Sequence, residues 1–362
     1  MTQSHASPCP PPPVRRFVLV GCGRMSHGWF QTIRKFYGDR LVLAGLVDLL
    51  PESARSCAET FADLARGGAI HCDTSLEAAI AAVRPDVVFD CTIPDAHFAN
   101  IETALRAGCD VLTEKPLSST VAQARQLVAT AAETGRTLAV IQNRRHLAGG
   151  VVVRRALEAG VIGKVHTAHV DFFLAPRFGG FRDAMDHVLL LDMAIHTFDQ
   201  GRYMTGLDPV SADCHEFNPP GSWYAHGASA VVTFGMSGGA IFNYRGSWCA
   251  RGLPTSWNGQ WRILGEKGTL TWNGDGEVIV ETVEQAHDGK AFIEPVTRRT
   301  LAVEPLPEGR RDHGGIIGEF LDALDAGTAP QTVASDNIRS LAMVEAAIRS
   351  AERGARVAIA DL

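Results

Sequence analysis

The sequence predicts an α/β protein in which a doubly wound parallel sheet is followed by an α+β domain with a large, mainly antiparallel open sheet. Up to Gln142, short apolar runs alternate with helical patterns, as in parallel strands joined by right-handed crossover helices. Beyond Gln142, several strands follow one another with only turn signals between them, which favours antiparallel pairing. The chain has 362 residues, more than one hydrophobic core usually supports, so we expect two domains.

The first part of the chain supplies six predicted strands and five predicted helices. Pro51, and Ser75 before an alanine-rich run, mark two of the helix starts. The predicted strands are RRFVLV, LVLAGLV, AIHC, DVVFDC, CDVLTE and TLAVIQ, and the predicted helices between them are SHGWFQTIRKF, PESARSCAETFADL, SLEAAIAAV, PDAHFANIETALRA and SSTVAQARQLVATAAET.

The second part begins with a predicted helix, VVVRRALEAG, and a predicted strand, GKVHTAHVDFFLA. A long helix containing LLLDMAIHTFDQ follows, then six strands separated by turns, some rich in glycine, and two closing helices. Those six strands are VSADCHEF, GASAVVTF, GGAIFNYRG, QWRILG, GTLTWNG and EVIVETV. We therefore predict a flexible proline-rich tail over 1–13, a first domain over 14–141 and a second over 142–362, whose C-terminal helices could pack back on the first.

The composition excludes several classes of function. Hydrophobic residues make up 46% of the chain, and the net charge is −6 without any run of lysine and arginine, so neither nucleic acid nor an anionic membrane is expected as a partner. The eight cysteines are scattered without a C-x-x-C pair, which indicates reduced thiols in a cytoplasmic protein. The N-terminal stretch MTQSHASPCPPPPV lacks the segments of a signal peptide, and no apolar run is long enough to span a bilayer.

A glycine-rich turn follows the first predicted strand. In VGCGRMSHG, Gly21 and Gly23 begin a G-x-G-x-x-S pattern, in which two glycines allow a tight turn and the close approach of a pyrophosphate to a helix N-terminus. Asp48 ends the second strand, where a carboxylate can bind the ribose hydroxyls of a dinucleotide; a solvated aspartate at a strand end is the alternative. Because Leu49 and Leu50 follow rather than a cation, NAD is favoured over NADP as the cofactor.

Lys115 ends the fifth predicted strand, in CDVLTEKPLSST. Ligands of open α/β sheets bind beyond the carboxyl ends of the strands, and Pro116 biases the residue before it away from helical geometry. A lysine at this place can donate a hydrogen bond to a substrate hydroxyl. An isolated E-K-P would more often be a surface lysine before a helix.

The long helix LLLDMAIHTFDQ is apolar almost all round but carries Asp192, His196 and Asp199. In an α-helix Asp192 and His196 share a face, and burying such groups costs free energy unless they are partnered. The imidazole suits a general base near neutral pH, with a satisfied core histidine as the alternative. Asp199 either orients His196 or pairs structurally. A metal site with His187 is disfavoured, since the spacing lacks H-x-x-x-H and no cysteine supports it, and no metal is expected.

Together, GCGRMSHGW, CTIPDAHF, GCDVLTEKPLSST and LLLDMAIHTFDQ resemble, in order and spacing, sequence blocks of the Gfo/Idh/MocA oxidoreductases, named for glucose–fructose oxidoreductase, inositol dehydrogenase and a rhizopine-catabolism protein. The resemblance extends from about Arg15 to the end of the chain. It implies a Rossmann domain over 14–141 that binds NAD and a domain over 142–362 that binds the substrate and other subunits. It also implies that Lys115, Asp192 and His196 are catalytic. The residues that it implies for the cofactor site are Gly21, Gly23, Arg24, Met25, Asp48, Thr92, Pro94, His97, Glu114 and Lys115.

Further substrate contacts are predicted in the loops around the cleft, where an ordinary polar loop is the alternative. Asn143 and either Arg144 or Arg145 follow the sixth strand, and a second loop precedes the long helix with Arg177, Arg182, Asp183 and His187. The predicted substrate-binding residues are Asn143, Arg145, Arg182, Asp192 and His196. A tryptophan group, which either buries a subunit interface or flanks the substrate, comprises Trp248, Trp257 and Trp261 with Arg251.

The predicted activity is NAD-dependent oxidation of a secondary hydroxyl group of a sugar, cyclitol or polyol. A homodimer or homotetramer is expected, because the strands AVVTF and AIFNY carry more apolar residues than one packed face requires. One alternative is an NAD-dependent glycosidase that oxidises a sugar carbon transiently. Another is a non-catalytic sugar or NAD sensor, against which the retention of Lys115, Asp192 and His196 speaks.

Overall fold

The computed structural model describes residues 12–283 and 292–362, so most of the predicted N-terminal tail lies outside the described residues. Six strands form the first sheet: β1 (Arg15–Val20), β2 (Leu41–Val47), β3 (His71–Asp73), β4 (Val87–Asp90), β5 (Asp110–Thr113) and β6 (Leu138–Val140). The helices between them are α1 (Arg24–Phe36), α2 (Pro51–Thr60), α3 (Leu76–Val83), α4 (Pro94–Arg106) and α5 (Val121–Thr134). All neighbouring strands are parallel, in the order β3-β2-β1-β4-β5-β6, which confirms the doubly wound sheet.

The strand order places the loops that matter for function. β1 lies between β2 and β4, so the strand order reverses at β1 and the loops after β1 and β4 open side by side. The helix starts follow the sequence signals, since Pro51 opens α2, Pro94 opens α4 and the Ser75 side chain accepts the N–H of Ala78 at the start of α3.

The second sheet has nine strands: β7 (Val165–Phe173), β8 (Pro209–Phe217), β9 (Ser229–Met236), β10 (Ile241–Ser247), β11 (Gln260–Gly265), β12 (Gly268–Trp272), β13 (Val278–Val283), β14 (Val296–Leu301) and β15 (Val357–Ala358). Their order is β14-β13-β12-β11-β7-β10-β9-β8-β15. Only the β7–β10 pair is parallel among these strands, so the sheet is mainly antiparallel, as predicted.

The two outer strands of this sheet were not predicted. Nearly every side chain of β14, VTRRTL, is exposed, and β15 has two residues, so neither shows an apolar alternation that a sequence pattern could reveal. Edge strands depend on their neighbour for hydrogen bonds more than on burial of their own side chains.

The helices of the second part are α6 (Ala148–Glu158), α7 (Ile195–Thr205), α8 (Asp312–Ala326) and α9 (Ala334–Arg353). The predicted long helix is not uniform, because Leu189–Ala194 forms a π-helical turn directly before α7. Asp192 lies in this turn and His196 lies in α7, so the two do not follow simple α-helical spacing. Short π-helical turns are frequent at functional sites.

The C-terminal helices pack back on the first sheet. Ile316 and Phe320 of α8 belong to the apolar cluster on one face of that sheet, which also contains Phe17. Leu341 of α9 joins the cluster on the opposite face, and Met343 joins the core of the second sheet. One helix therefore contributes to both cores and fixes the two sheets relative to each other. No helix in the described part of the chain is long and apolar enough to cross a membrane.

Candidate active site

The glycine-rich turn lies between β1 and α1, and its two glycines have different functions. Gly21 has φ +91°, and a Cβ there would lie 2.7 Å from the carbonyl carbon of Cys91 and 2.8 Å from the backbone nitrogen of Thr92, so no side chain fits. Gly23 precedes the first residue of α1, and a Cβ at Gly23 would meet nothing within 4 Å. The N-terminus of α1 is thus open to an anionic group of a ligand, and the neighbouring Arg24 and Met25 are exposed.

Asp48 faces this turn from the end of β2. Its Oδ2 accepts the N–H of Cys22 at 2.7 Å, and its Oδ1 accepts the N–H of Leu50 at 2.9 Å. Each oxygen keeps a lone pair that can accept a ribose hydroxyl. Leu49 and Leu50 are 89% and 56% exposed and offer no charge to a 2′-phosphate. The acceptor oxygens of Asp48, without a cation beside them, therefore fit the ribose of a dinucleotide of the NAD type.

The loop after β4 is held from inside by His97. The His97 ring is fully buried, and its Nδ1 and Nε2 lie 2.7 Å from the carbonyl oxygen of Pro116 and 3.1 Å from that of Thr92. Thr92 in turn donates its hydroxyl to Asp90 at 2.6 Å, while the half-buried Pro94 begins α4. Any effect of His97 on a cofactor is therefore indirect: it joins the loop after β4 to the loop after β5.

Glu114 is a second buried polar residue that supports the candidate site. It is 6% exposed, and its Oε1 accepts the indole N–H of Trp29 at 2.8 Å. The ring of His313, from the first turn of α8, lies near both: 3.9 Å separates its Nε2 from Glu114 Oε1, and 6.5 Å separates the ring centres of Trp29 and His313. Glu114 thus fixes the base of the loop that carries Lys115, and its place in the cofactor site stays a prediction.

Lys115 connects the loop after β5 to the π-helical turn. Its Nζ donates to the backbone oxygen of Asp192 at 2.8 Å and to Oδ1 of Asp192 at 3.0 Å. The other carboxylate oxygen, Oδ2, accepts Nε of Arg182 at 2.6 Å. Burial would raise the pKa of Asp192, but the two cations outweigh it and the pKa is lowered, so the carboxylate is charged at neutral pH.

His196 lies next to this group. Its Nδ1 is buried and has no hydrogen-bond partner among the described residues, while the ring as a whole is only half-buried. Burial, with the positive charges of Arg144, Lys115 and His313, lowers the pKa of His196 well below its ordinary value. The imidazole is therefore neutral at neutral pH and can accept a proton.

Arg144 and Arg145 are adjacent in sequence and both are buried, but they differ in whether carboxylates pair with them. Arg145 is 5% exposed and donates to Asp199 at 2.8 and 2.6 Å, to Asp336 at 2.7 Å and to the Gln331 carbonyl at 2.7 Å. It is a structural residue, which corrects its assignment to the substrate, and its partner Asp199 pairs structurally.

Arg144 is the arginine beside His196. It is 9% exposed, its Nη2 lies 3.6 Å from the sulfur of Met193, and its Nη1 has no partner in the described chain. Burial lowers the pKa of Arg144 to about 10, so it remains cationic at neutral pH. Asn143 is half-buried and its side chain makes no hydrogen bond within the described residues, so it stays a candidate for substrate binding.

The remaining candidates are His187, considered for a metal site, and the three tryptophans of the second sheet region. His187 Nδ1 lies 2.5 Å from Glu216 Oε2, so the imidazole pairs with Glu216 and not with Asp192. Within the described residues, no three His, Cys, Asp or Glu side chains come together as a metal site would require. Trp248 and Trp261 are each 2% exposed and belong to the core, whereas Trp257 is 48% exposed.

Comparison with known proteins identifies the family. Residues 15–142 match the oxidoreductase family with an NAD-binding Rossmann fold, and residues 151–271 match the GFO/IDH/MocA C-terminal domain. The chain belongs to the GFO/IDH/MocA oxidoreductases.

Relatives within GFO/IDH/MocA match nearly the whole chain. An inositol 2-dehydrogenase of Rhizobium meliloti is 26% identical over 95% of this chain and 99% of its own, and a D-apiose dehydrogenase of Paraburkholderia graminis is 26% identical over 96% and 91%. An oxidoreductase of Agrobacterium radiobacter, solved in complex with NAD+, L-tartaric acid and magnesium, has a TM-score of 0.82 at 20% identity over 96% of this chain and 99% of its own. At this identity the structural likeness concerns the GFO/IDH/MocA fold.

Sequence reasoning missed three residues of this GFO/IDH/MocA site: Trp29, Arg144 as the arginine beside His196, and His313. Trp29 comes from α1 and His313 from α8, two helices that pack on the same face of the first sheet. No local pattern marks them, because the contact of α8 with the first sheet is a tertiary one. The choice between two adjacent arginines likewise depends on the direction of the short 3-10 turn Asn143–His146.

Replacing Arg145 by Met should destabilise the protein by about 3–5 kcal/mol, because Asp199 would keep a buried charge without its partner. Urea unfolding followed by circular dichroism measures this free energy. The matched control is Arg106→Met, which removes an exposed pair with Glu102 and should cost less than about 1 kcal/mol. Equal losses in the two variants would contradict the structural role of Arg145.

Proposed function

We propose that this protein is an NAD-dependent dehydrogenase that oxidises a secondary hydroxyl group of a sugar, cyclitol or polyol. Its membership of an NAD-binding oxidoreductase family supports the reaction class. The names of two relatives, an inositol 2-dehydrogenase and a D-apiose dehydrogenase, support the substrate class. The observation that carries the proposal is the ammonium group of Lys115, held 3.0 Å from Asp192 beside a neutral His196.

Each of these three side chains has one task in the proposed reaction. NAD, when bound, accepts the hydride that leaves the carbinol carbon. His196 takes the proton of the reacting hydroxyl group, for which it must begin neutral. Lys115 donates a hydrogen bond to the same oxygen and stabilises the negative charge that develops there. Asp192 accepts a hydrogen bond from a neighbouring hydroxyl group and so positions the substrate.

The charges around the cleft favour this direction of proton transfer. Lys115 and Arg182 both pair with Asp192, and Arg144 adds a third cation that has no carboxylate within ion-pair distance among the described residues. Excess positive charge disfavours protonated His196 before the reaction and stabilises an alkoxide during it.

The glycosidase alternative finds no support among the relatives described above, which are named as dehydrogenases and an oxidoreductase. The match to an oxidoreductase family favours an enzyme over the non-catalytic sensor. The cysteines of the described chain are free thiols, and on that ground we propose a reducing, cytoplasmic location, which cell fractionation would test.

His196→Ala should reduce kcat by about 10²–10⁴-fold, because a positioned general base contributes that much to the rate. The Kd of NAD should change little, since Gly21, Gly23 and Asp48 lie in the other sheet. Lys115→Met should also reduce kcat, and the double variant should lose less than the product of the two losses in kcat because both groups act on one oxygen. Asp192→Asn should chiefly raise KM. Stopped-flow NADH formation and NAD titration measure these values.

The pH profile supplies the control for this assignment. Since His196 must be neutral, kcat/KM should stay constant down to the ordinary imidazole pKa of about 6.5 and fall only below it. Arg144→Met should move this acidic limb upwards, whereas Arg144→Lys, which keeps the charge, should move it less. A limb unaffected by either change would contradict the role given to the charge of Arg144, and a folded His196→Ala variant with full activity would refute the mechanism.

The cofactor preference should be for NAD over NADP by about tenfold or more in Kd, because the Asp48 carboxylate repels a 2′-phosphate and Leu49 offers no cation. Fluorescence titration with NADH and NADPH measures both values. The double variant Asp48→Ser, Leu49→Arg should shift the preference towards NADP, and the wild type binding NADPH more tightly would contradict the assignment.

We also propose a homodimer or homotetramer joined through the outer face of the second sheet. This face forms a groove of about 700 Å³ whose lining includes His169 and Arg245, and it exposes Val231 by 44% and Ile241 by 38%. It is more polar than the strand sequences AVVTF and AIFNY suggested, because their alternate residues are in the core.

Sedimentation velocity at micromolar concentration should therefore show a dimer or a tetramer. Val231→Glu should shift the protein towards the monomer, since it places a charge in the contact. Val14→Glu, at an exposed position directly before β1, is the control and should not. A monomeric wild type would contradict the proposal.

A further inference from the structure

The segment 176–182 connects the catalytic group to a second cluster of side chains, which we call the rim. The rim consists of two arginines and four aromatic residues: Arg177, Arg251, Phe178, Phe181, Trp223 and Trp257. At one end, Arg182 Nε donates to Asp192 at 2.6 Å, and its guanidinium carbon lies 5.3 Å from the ring centre of Phe178. At the other end, the indole N–H of Trp223 donates to the Pro176 carbonyl at 3.0 Å. The rim is thus continuous with the site where the reacting hydroxyl group is expected.

Two arginines converge on one ring of the rim. The guanidinium carbon of Arg177 lies 4.0 Å from the ring centre of Trp223, and that of Arg251 lies 6.0 Å from the same centre. Both side chains are exposed. In the described chain Arg177 makes no hydrogen bond or ion pair, and Arg251 makes one hydrogen bond, to the Gly221 carbonyl at 3.2 Å. Contact with the indole restrains the two guanidinium groups, and apart from the hydrogen bond of Arg251 to Gly221 their N–H donors remain free within the described residues.

The carboxylates near the rim do not neutralise these arginines. Asp192 is already held by Lys115 and Arg182. Asp183 also lies near: burial is the main cause of the raised pKa of the Tyr224 hydroxyl, and the Asp183 carboxylate adds to it. Among the described residues, neither arginine approaches Asp183 within ion-pair distance. The rim therefore has an excess of positive charge on a chain whose net charge is −6.

Exposed aromatic rings surround the same place. Phe178, Phe181 and Trp257 are 50%, 66% and 48% exposed, and the ring centres of Phe178 and Trp257 are 6.4 Å apart. Clustered exposed apolar surface marks a binding site more often than scattered exposure does. The apolar C–H face of a sugar ring packs against such aromatic rings.

From these observations we infer that the substrate is an anionic sugar derivative, whose carboxylate or phosphate group binds between Arg177 and Arg251 while its sugar ring lies against the aromatic rings of the rim. This inference rests on the proposed dehydrogenase activity and specifies its substrate class. Two guanidinium groups held in place by an indole form charge-assisted hydrogen bonds to an oxyanion at little further cost in conformational entropy.

The test compares matched neutral and anionic probes: D-glucose with D-glucuronate and with D-glucose 6-phosphate, and D-galactose with D-galacturonate. NADH formation should give a kcat/KM at least about tenfold higher for an anionic probe than for its neutral counterpart, since charge-assisted hydrogen bonds are about twice as strong as neutral ones. The uronates and the sugar phosphate distinguish a carboxylate from a phosphate. In Arg177→Met, Arg251→Met this ratio should fall at least about tenfold, whereas in the control Arg299→Met, an exposed arginine of β14, it should not change.

Isothermal titration of the same probes in the presence of NAD separates binding from turnover. Preferential binding of an anionic probe that the double variant loses, without NADH formation, would support the anionic site and overturn the proposed dehydrogenase activity. NADH formation with a preference for neutral sugars, or an unchanged ratio in the double variant, would overturn the anionic site and leave the dehydrogenase intact. If neither measurement separates anionic from neutral probes, the inference is wrong.

Discussion

The contact between Lys115 and Asp192 is the interaction on which the candidate site depends. Lys115 follows β5 of the first sheet, and Asp192 belongs to the π-helical turn of the second part, so this contact joins two segments of the candidate site across the cleft. The two side chains are 15% and 14% exposed, so solvent screens their attraction less than that of a surface pair. Helix α9, which packs into the cores of both sheets, keeps the distance between these segments fixed.

Electrostatics around the cleft depends on which charges are paired and which are not. Arg145 is neutralised by two carboxylates and stabilises the interface between the 3-10 turn, α7 and α9. Among the described residues Arg144 has no carboxylate within ion-pair distance, and it lies beside His196. A buried cation without a partner costs free energy, and such a cost is common where a protein needs a shifted pKa. In our proposal that shifted pKa is the one that keeps His196 neutral.

The loops that follow β4 and β5 owe their positions to buried polar groups. His97 lies between the carbonyl oxygens of Thr92 and Pro116, and Glu114 accepts the indole N–H of Trp29. These contacts hold the chain on both sides of Lys115. Residues of this kind are easily mistaken for ligand-binding residues in a sequence, because both kinds lie at the carboxyl ends of strands.

The sequence by itself determined the class and order of the two sheets, the glycine-rich turn with Asp48, and the candidates Lys115, Asp192 and His196. These features depend on local signals: the period of apolar residues, the conformational freedom of Gly21 and the position of a residue at a strand end. The edge strands β14 and β15 could not be predicted, since their side chains are not buried in a periodic way. Only the tertiary structure decided that Arg144 rather than Arg145 lies beside His196, that His313 returns from α8 to Glu114, and that Arg177 and Arg251 share Trp223. Each of these contacts joins residues that are distant in the chain or differ only in the direction of one side chain. The packing of helices and loops sets such directions, and no local sequence pattern contains that information.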